Sequence, residues 1–182
     1  PINFKFLKKR ENEFKKKYKK TEIFLENIAL GNKNSKENIN HFKESSSSSL
    51  KKINQDANYF KRKLKILNIS RDIKLVDIFE IEVLKASNFI KNKKIPKINF
   101  LKIDTEGYEY EVLLGFENYI NLIEIIMFEH HYDNMIDKNY TFSDISDFLK
   151  QKNFSMVHKS KMPFRKTYEY IFFKNQLIAH DK

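Results

Sequence analysis

Two short apolar runs in the second half of the chain are each followed at once by polar residues. The runs are Ile98 to Ile103 and Ile123 to Phe128, and neither alternates strictly between apolar and polar positions. This pattern predicts strands that are buried on both faces, as in a parallel sheet. Asp104 and Glu106 follow the first run, and Gly107 then allows the backbone to turn toward a helix. The sequence thus predicts two buried strands, each followed directly by polar side chains.

Acidic residues and histidines follow these two strands. Asp104 and Glu106 come after the first strand, and Glu129, His130 and His131 come after the second. Open α/β sheets bind ligands outside the carboxyl ends of their strands. Because successive side chains of a strand point to opposite faces, we expect at most one of the two histidines to face such a ligand. We therefore place the candidate site at this edge of the sheet.

Similar patterns predict the other elements. Helices are predicted over Ile2 to Lys20, Leu50 to Leu67, Tyr108 to Asn121 and Asp144 to Lys152. Strands are predicted over Glu22 to Leu30, Asn38 to Lys43, Ile73 to Phe79, Phe154 to Lys159 and Tyr168 to Lys174. Two interpretations compete at Asp77, where the strand either continues or gives way to a helix that runs to Ile90. The element order predicts an α/β fold, with a mostly parallel sheet and a C-terminal antiparallel hairpin.

A run of five serines, Ser45 to Ser49, interrupts these patterns. Serine side chains cannot fill a core, so we expect a mobile loop there. Together with the predicted helix that follows, this loop forms an insertion over residues 45–72. A chain of 182 residues is long enough to bury one core, and we expect a single domain over residues 1–182.

Composition narrows the class of protein. The chain has no cysteine, which excludes disulfides and thiolate metal sites and fits a reducing compartment. No apolar run reaches the roughly 18 residues of a membrane span, so we expect a soluble, cytoplasmic protein with no membrane partner.

The net charge of +11 raises the possibility of an anionic partner. Only four of the 35 basic residues are arginine, whereas phosphate and base recognition favours arginine. We therefore interpret most of the charge as solvated surface and do not expect a nucleic-acid partner. A basic module that binds nucleic acid or an anionic surface remains the alternative function, and the oligomeric state stays open.

Several motifs together resemble one enzyme family. The segment LKIDTEGYEYEVLLGF at residues 101–116, followed by an apolar strand that ends in Glu129, is similar to the characteristic segment of the FkbM family of S-adenosylmethionine-dependent methyltransferases. Upstream, ENIALGNKNS resembles the family's strand that ends in an Ala-Leu-Gly turn. The serine run and KLVDIF resemble the family's serine motif and the segment after it.

This resemblance implies a class I, Rossmann-like methyltransferase fold with S-adenosylmethionine as cofactor. The implied reaction is methyl transfer to an oxygen of a sugar or another small hydroxylated metabolite. A hydroxyl nucleophile benefits from a base, for which Asp104 is the first candidate and His130 the second. Asp104 is also a candidate for orienting the cofactor amine. Glu106 and Glu129 are expected to bind substrate hydroxyls rather than to join Asp104 in holding a divalent cation, so we expect no resident metal.

The resemblance also implies a cofactor contact at the end of the first strand. Asn27 and Ala29 correspond to positions where such enzymes contact adenine. A structural explanation competes at the main site, because Asp104 and Glu106 would also stabilise the N-terminus of the following helix.

The family's glycine-rich cofactor loop has no counterpart in this chain. Such enzymes begin with a strand and that loop, followed by a second strand that ends in an acidic residue, whereas the glycines here are Gly31, Gly107 and Gly115. We therefore expect the chain to be the second part of a longer enzyme. The strands at Glu22 to Leu30 and Ile98 to Ile103 would each lack a neighbour, and the chain alone would bind cofactor poorly. A non-catalytic fragment is the remaining alternative.

Overall fold

The structure is a computed structural model that describes residues 2–42, 48–66, 76–163 and 166–178. Its helices are α1 (Ile2–Lys17), α2 (Asn58–Ile66), α3 (Ala86–Lys93), α4 (Glu109–Phe116), a 3-10 helix (Glu117–Leu122), α5 (Phe142–Gln151) and α6 (Asn175–Ile178). Its strands are β1 (Ala29–Gly31), β2 (Ser35–Phe42), β3 (Ser48–Ser49), β4 (Val76–Lys85), β5 (Ile98–Ile103), β6 (Ile123–His131), β7 (Phe154–Lys161) and β8 (Thr167–Lys174). Every helix in these ranges is too short or too polar to cross a membrane.

The described strands form two four-stranded sheets. One has the order β1-β4-β2-β3 and the other has the order β5-β6-β8-β7. Strand β1 is parallel to β4, and β5 is parallel to β6, while the other neighbours are antiparallel. The predicted α/β class is confirmed. The described residues do not form the mostly parallel sheet that the sequence predicts, because antiparallel pairs outnumber parallel ones in both sheets.

The two apolar strands differ in how deeply they are buried. Strand β6 lies between β5 and β8, and Ile123, Ile126 and Phe128 are fully buried there. Strand β5 lies at the edge of the sheet, and Phe100 on it is 52% exposed. The prediction of burial on both faces is therefore wrong for β5. Its limits at Ile98 and Ile103 agree with the sequence prediction.

Three other predicted elements have different limits. Only the last part of Glu22 to Leu30 is a strand, since β1 begins at Ala29. The predicted helix over Leu50 to Leu67 begins only at Asn58, because Ile53 instead forms a β-bridge with the distant Ile136. Strand β2 begins three residues before the predicted Asn38.

Of the two interpretations at Asp77, a continued strand or a helix to Ile90, the structure shows the strand. Strand β4 continues to Lys85, and α3 begins only at Ala86, so the helix from Asp77 to Ile90 is wrong. The residues that decide this are Glu80 and Glu82, which alternate with apolar neighbours as in a half-buried strand.

The end of the serine run is part of a sheet. Ser48 and Ser49 form β3 beside β2, and Ser49 is 2% exposed. The Ser49 hydroxyl donates a hydrogen bond of 2.6 Å to the backbone oxygen of Glu106. The prediction of a mobile loop is therefore wrong for these two serines, whereas Ser45 to Ser47 lie outside the described residues.

Helix α4 packs against β1 through two glycines. A Cβ atom on Gly115 would overlap the backbone oxygen of Gly31, so the helix and the strand approach more closely than any side chain would allow. Val112, Leu113 and Phe116 of α4 belong to the main core. This close approach fixes α4, and with it the loop between β5 and α4.

We expect Gly115→Ala to lower the free energy of unfolding by about 2 kcal/mol. Alanine gains about 1 kcal/mol of helix propensity, but overlap with backbone atoms costs about 3 kcal/mol. Gly31→Ala is the comparison variant. Its Cβ would meet Val83 Cγ1 at 2.8 Å and the Tyr108 ring at 3.1 Å, which are side-chain rather than backbone atoms, so we expect a smaller loss of stability. Urea unfolding measures both variants. A Gly115→Ala protein as stable as the wild type would contradict the packing described here.

Candidate functional site

The loop between β5 and α4 carries the first two candidate acids in a tight turn. Glu106 and Gly107 have consecutive positive φ angles of 50° and 97°. A Cβ atom on Gly107 would overlap the side chain of Ile136, so only glycine fits there. Asp104 and Glu106 therefore stand on a backbone whose conformation is set by its neighbours.

One buried carboxylate holds this loop. Glu109 is 1% exposed, and its Oε1 accepts hydrogen bonds from Gly107 N at 2.9 Å, Thr105 Oγ1 at 3.0 Å and Thr105 N at 3.3 Å. Its Oε2 accepts a bond of 2.5 Å from the Tyr140 hydroxyl. Burial and the charge of Glu109 raise the pKa of Tyr140, so the phenol stays protonated and donates. The sequence analysis did not identify Glu109. Its position at the start of a largely apolar helix could have indicated a buried acid that binds backbone amides.

Asp104 and Glu129 meet across the parallel pair of strands. Ile103 and Phe128 are register partners, so the residues that follow them are neighbours. Lys102 Nζ lies 3.3 Å from Asp104 Oδ2 and 4.0 Å from Glu129 Oε1. Burial and the charge of Asp104 raise the pKa of Glu129. Two predicted acids thus share one lysine at the carboxyl ends of β5 and β6.

Glu106 pairs with a histidine from the end of β6. His131 Nε2 lies 3.0 Å from Glu106 Oε2, and its Nδ1 lies 3.1 Å from Thr167 Oγ1. Asp133 Oδ2 lies 3.8 Å from the same Nδ1. Although burial alone would lower it, the carboxylates of Asp133 and Glu106 raise the pKa of His131 to about 9. At neutral pH this imidazolium is a fixed cation beside Glu106.

His130 points to the opposite face of β6. It is 3% exposed, and its Nε2 lies 3.2 Å from Lys138 Nζ. Burial and the charges of Lys138 and His131 lower the pKa of His130 to about 3, so this ring is neutral under ordinary conditions. The structure therefore brings His131, rather than the predicted His130, into contact with Glu106.

The predicted adenine contacts lie in the other sheet. Asn27 precedes β1 and Ala29 begins it, and β1 pairs with β4 rather than with β5. The structure thus groups Asp104, Glu106 and Glu129 at one sheet edge, while the roles of Asn27 and Ala29 remain predictions.

Acids at the carboxyl ends of neighbouring parallel strands in an α/β fold are typical of enzymes that bind small ligands at a sheet edge. The family model for the methyltransferase FkbM domain matches residues 3–156, and the chain belongs to this family. Its domain is a methyltransferase domain, as the sequence resemblance predicts. No curated protein and no solved structure matches the chain.

We expect Glu109→Gln to lower the free energy of unfolding by about 3 kcal/mol, because an amide cannot replace a buried carboxylate that accepts bonds on both oxygens. Glu124→Gln is the matched control on β6. Its partly exposed side chain pairs with Lys97 at the surface, where solvent screens the charges, so its loss should cost much less than the loss of Glu109. Equal stability of the two variants in urea unfolding would show that Glu109 does not hold the loop.

The raised pKa of His131 makes stability depend on pH. The folded pKa of about 9 lies above the ordinary value of 6.5, so the stabilisation is complete below pH 6.5 and is lost as the pH rises through 9. The loss amounts to about 3 kcal/mol. We expect the stability difference between the wild type and His131→Gln to shrink across this interval. A difference that stays constant from pH 6 to pH 10 in chemical unfolding argues against the Glu106–His131 ion pair.

Proposed function

We propose that the protein transfers the methyl group of S-adenosylmethionine to a hydroxyl oxygen of a small metabolite, with saccharides among the candidate acceptors. The observation that carries this proposal is the meeting of Asp104 and Glu129 around Lys102 at the ends of β5 and β6. We also propose that the fold is that of a class I, Rossmann-like methyltransferase. We place the reaction in the cytoplasm, because a chain without cysteine suits a reducing compartment.

The carboxylates at the ends of β5 and β6 suit the positively charged end of the cofactor. S-adenosylmethionine carries a positive sulfonium and an ammonium group, and it supplies an electrophilic methyl when bound. Asp104 is 47% exposed in its side chain and is therefore open to such a ligand. We assign Asp104 to the ammonium group and keep Asn27 and Ala29 as candidate adenine contacts.

Glu129 is our candidate for the proton acceptor. A base works best when its pKa approaches the working pH, and burial together with Asp104 raises the pKa of Glu129. His130 is less suited to this role, because a pKa of about 3 leaves it a weak base. Glu129 would take the proton of the acceptor hydroxyl as its oxygen bonds to the methyl carbon and the sulfur–methyl bond breaks, which leaves S-adenosylhomocysteine.

Glu106 is our candidate for binding a second acceptor hydroxyl. The His131 imidazolium holds its Oε2, and the Ser49 hydroxyl holds its backbone oxygen. An acid fixed from two sides orients a ligand with little loss of side-chain entropy. His131 thus acts as a positioning residue.

The test uses the full-length protein. Titration calorimetry measures S-adenosylmethionine binding, and formation of S-adenosylhomocysteine is followed with hydroxylated acceptors. We expect Glu129→Gln to lower kcat by about 100-fold and to leave cofactor binding unchanged, whereas Asp104→Asn weakens cofactor binding about tenfold. In the wild type we expect kcat to rise with pH as Glu129 loses its proton. This rise should disappear in Glu129→Gln.

Glu124→Gln, on the same strand, is the control and should leave both quantities unchanged. A protein that binds no S-adenosylmethionine would refute the proposal as a whole. A Glu129→Gln variant with wild-type kcat would refute only the role of Glu129.

A further inference from the structure

A cavity of about 710 Å3 lies beside the loop between β5 and α4, which carries Asp104 and Glu106. Its walls are two segments, residues 52–56 and residues 133–140, that follow β3 and β6. Cavities of about 300–1,000 Å3 are the usual size for small-molecule ligands. None of the site residues predicted from the sequence lines it.

The two walls are tied together by backbone hydrogen bonds. Asn54 N donates to Met135 O at 2.7 Å, and Asp137 N donates to Lys52 O at 2.9 Å. Beneath them lies a second buried cluster that consists of Ala57, Phe60, Leu64, Met135 and Ile136. The cavity is therefore built into the fold before any ligand arrives.

Three lining residues contact the site described above. Tyr140 donates its hydroxyl to Glu109, and Ile136 packs against Gly107. Asp133 reaches Glu106 through His131, with separations of 3.8 Å and 3.0 Å. The cavity wall and the loop between β5 and α4 are thus neighbours that contact each other at Ile136 and Tyr140.

The lining suits a ligand with many hydroxyl groups. Asn54, Gln55 and Asn134 offer amides that both donate and accept, and Asp137 offers a carboxylate. Ile136 and Tyr140 supply an apolar surface against which a sugar ring can lie.

Asp133 adds a buried carboxylate to the wall. Its side chain is 5% exposed, and its Oδ2 lies 3.8 Å from His131 Nδ1, so the imidazolium compensates its charge without forming a hydrogen bond to it. A ligand hydroxyl can donate such a bond.

The charges of the lining favour a neutral ligand. Lys52 and Lys138 face the carboxylates of Asp56, Asp133 and Asp137, so the two signs nearly balance. Lys138 is also engaged, because it contacts His130 Nε2 and the backbone oxygen of His131.

We propose that this cavity is the acceptor pocket of the methyltransferase and that it binds a neutral saccharide ring. The inference rests on the proposed function for the identity of the reaction, but binding of the saccharide needs no cofactor. A ring in this pocket would lie against Ile136 and Tyr140, which contact Gly107 and Glu109.

Saturation-transfer NMR, without S-adenosylmethionine, tests the pocket on the complete protein. The probes are the methyl glycosides of glucose, mannose, galactose and rhamnose, with glucosamine and glucose 6-phosphate as charged comparators. We expect one or more glycosides to bind and the charged probes to bind more weakly. Gln55→Ala and Asp137→Asn change exposed side chains, and each should weaken glycoside binding about fivefold. Asp147→Asn on α5 lies outside the lining and should leave binding unchanged.

Each outcome has a separate consequence. Absence of glycoside binding, tighter binding of a charged probe, or wild-type affinity in both lining variants would overturn the acceptor pocket. Cofactor binding without glycoside binding would overturn this inference alone. Glycoside binding in a protein that binds no S-adenosylmethionine would confirm the pocket and refute the methyl-transfer proposal.

Discussion

The carboxylate of Glu109 is the interaction on which the arrangement of the site depends. A buried acid is costly unless donors surround it, and here two backbone amides, one hydroxyl and one phenol do so. Three of these four donors come from Thr105 and Gly107, which flank Glu106. The same bonds that satisfy Glu109 therefore hold a turn with two consecutive positive φ angles. Glu109 thus stabilises this conformation together with Ser49, whose hydroxyl donates to the backbone oxygen of Glu106.

The sequence predicts what depends on local pattern and misses what depends on distant contacts. The limits of β5 and the existence of β6 follow from apolar runs that end abruptly at acids. The start of α2 could not be predicted, because Ile53 is withdrawn from the helical pattern by a bridge to Ile136. Ser49 was missed for the same reason, since a serine enters a core only where it finds a partner such as the Glu106 carbonyl.

The two adjacent histidines show how far the site itself was predictable. Strand alternation requires that His130 and His131 face opposite sides, and the structure agrees. Which of them meets an acid depends on partners from other elements. Lys138 and burial keep His130 neutral, with a pKa of about 3, while Asp133 and Glu106 keep His131 charged, with a pKa of about 9. Neighbours in sequence thus differ by a full charge at pH 7.

The described residues pack closely on one side of the candidate site and leave the other side open. On one side, the walls of the cavity, Tyr140 and Glu109 form a connected set of contacts that reaches Glu106. On the other side, β5 pairs with β6 alone within the described ranges, and its opposite edge and Phe100 are open. An open strand edge beside exposed apolar surface is available for further pairing. The arrangement around Glu106 and Glu109 therefore depends on contacts within the described ranges, whereas the outer edge of β5 has no strand partner there.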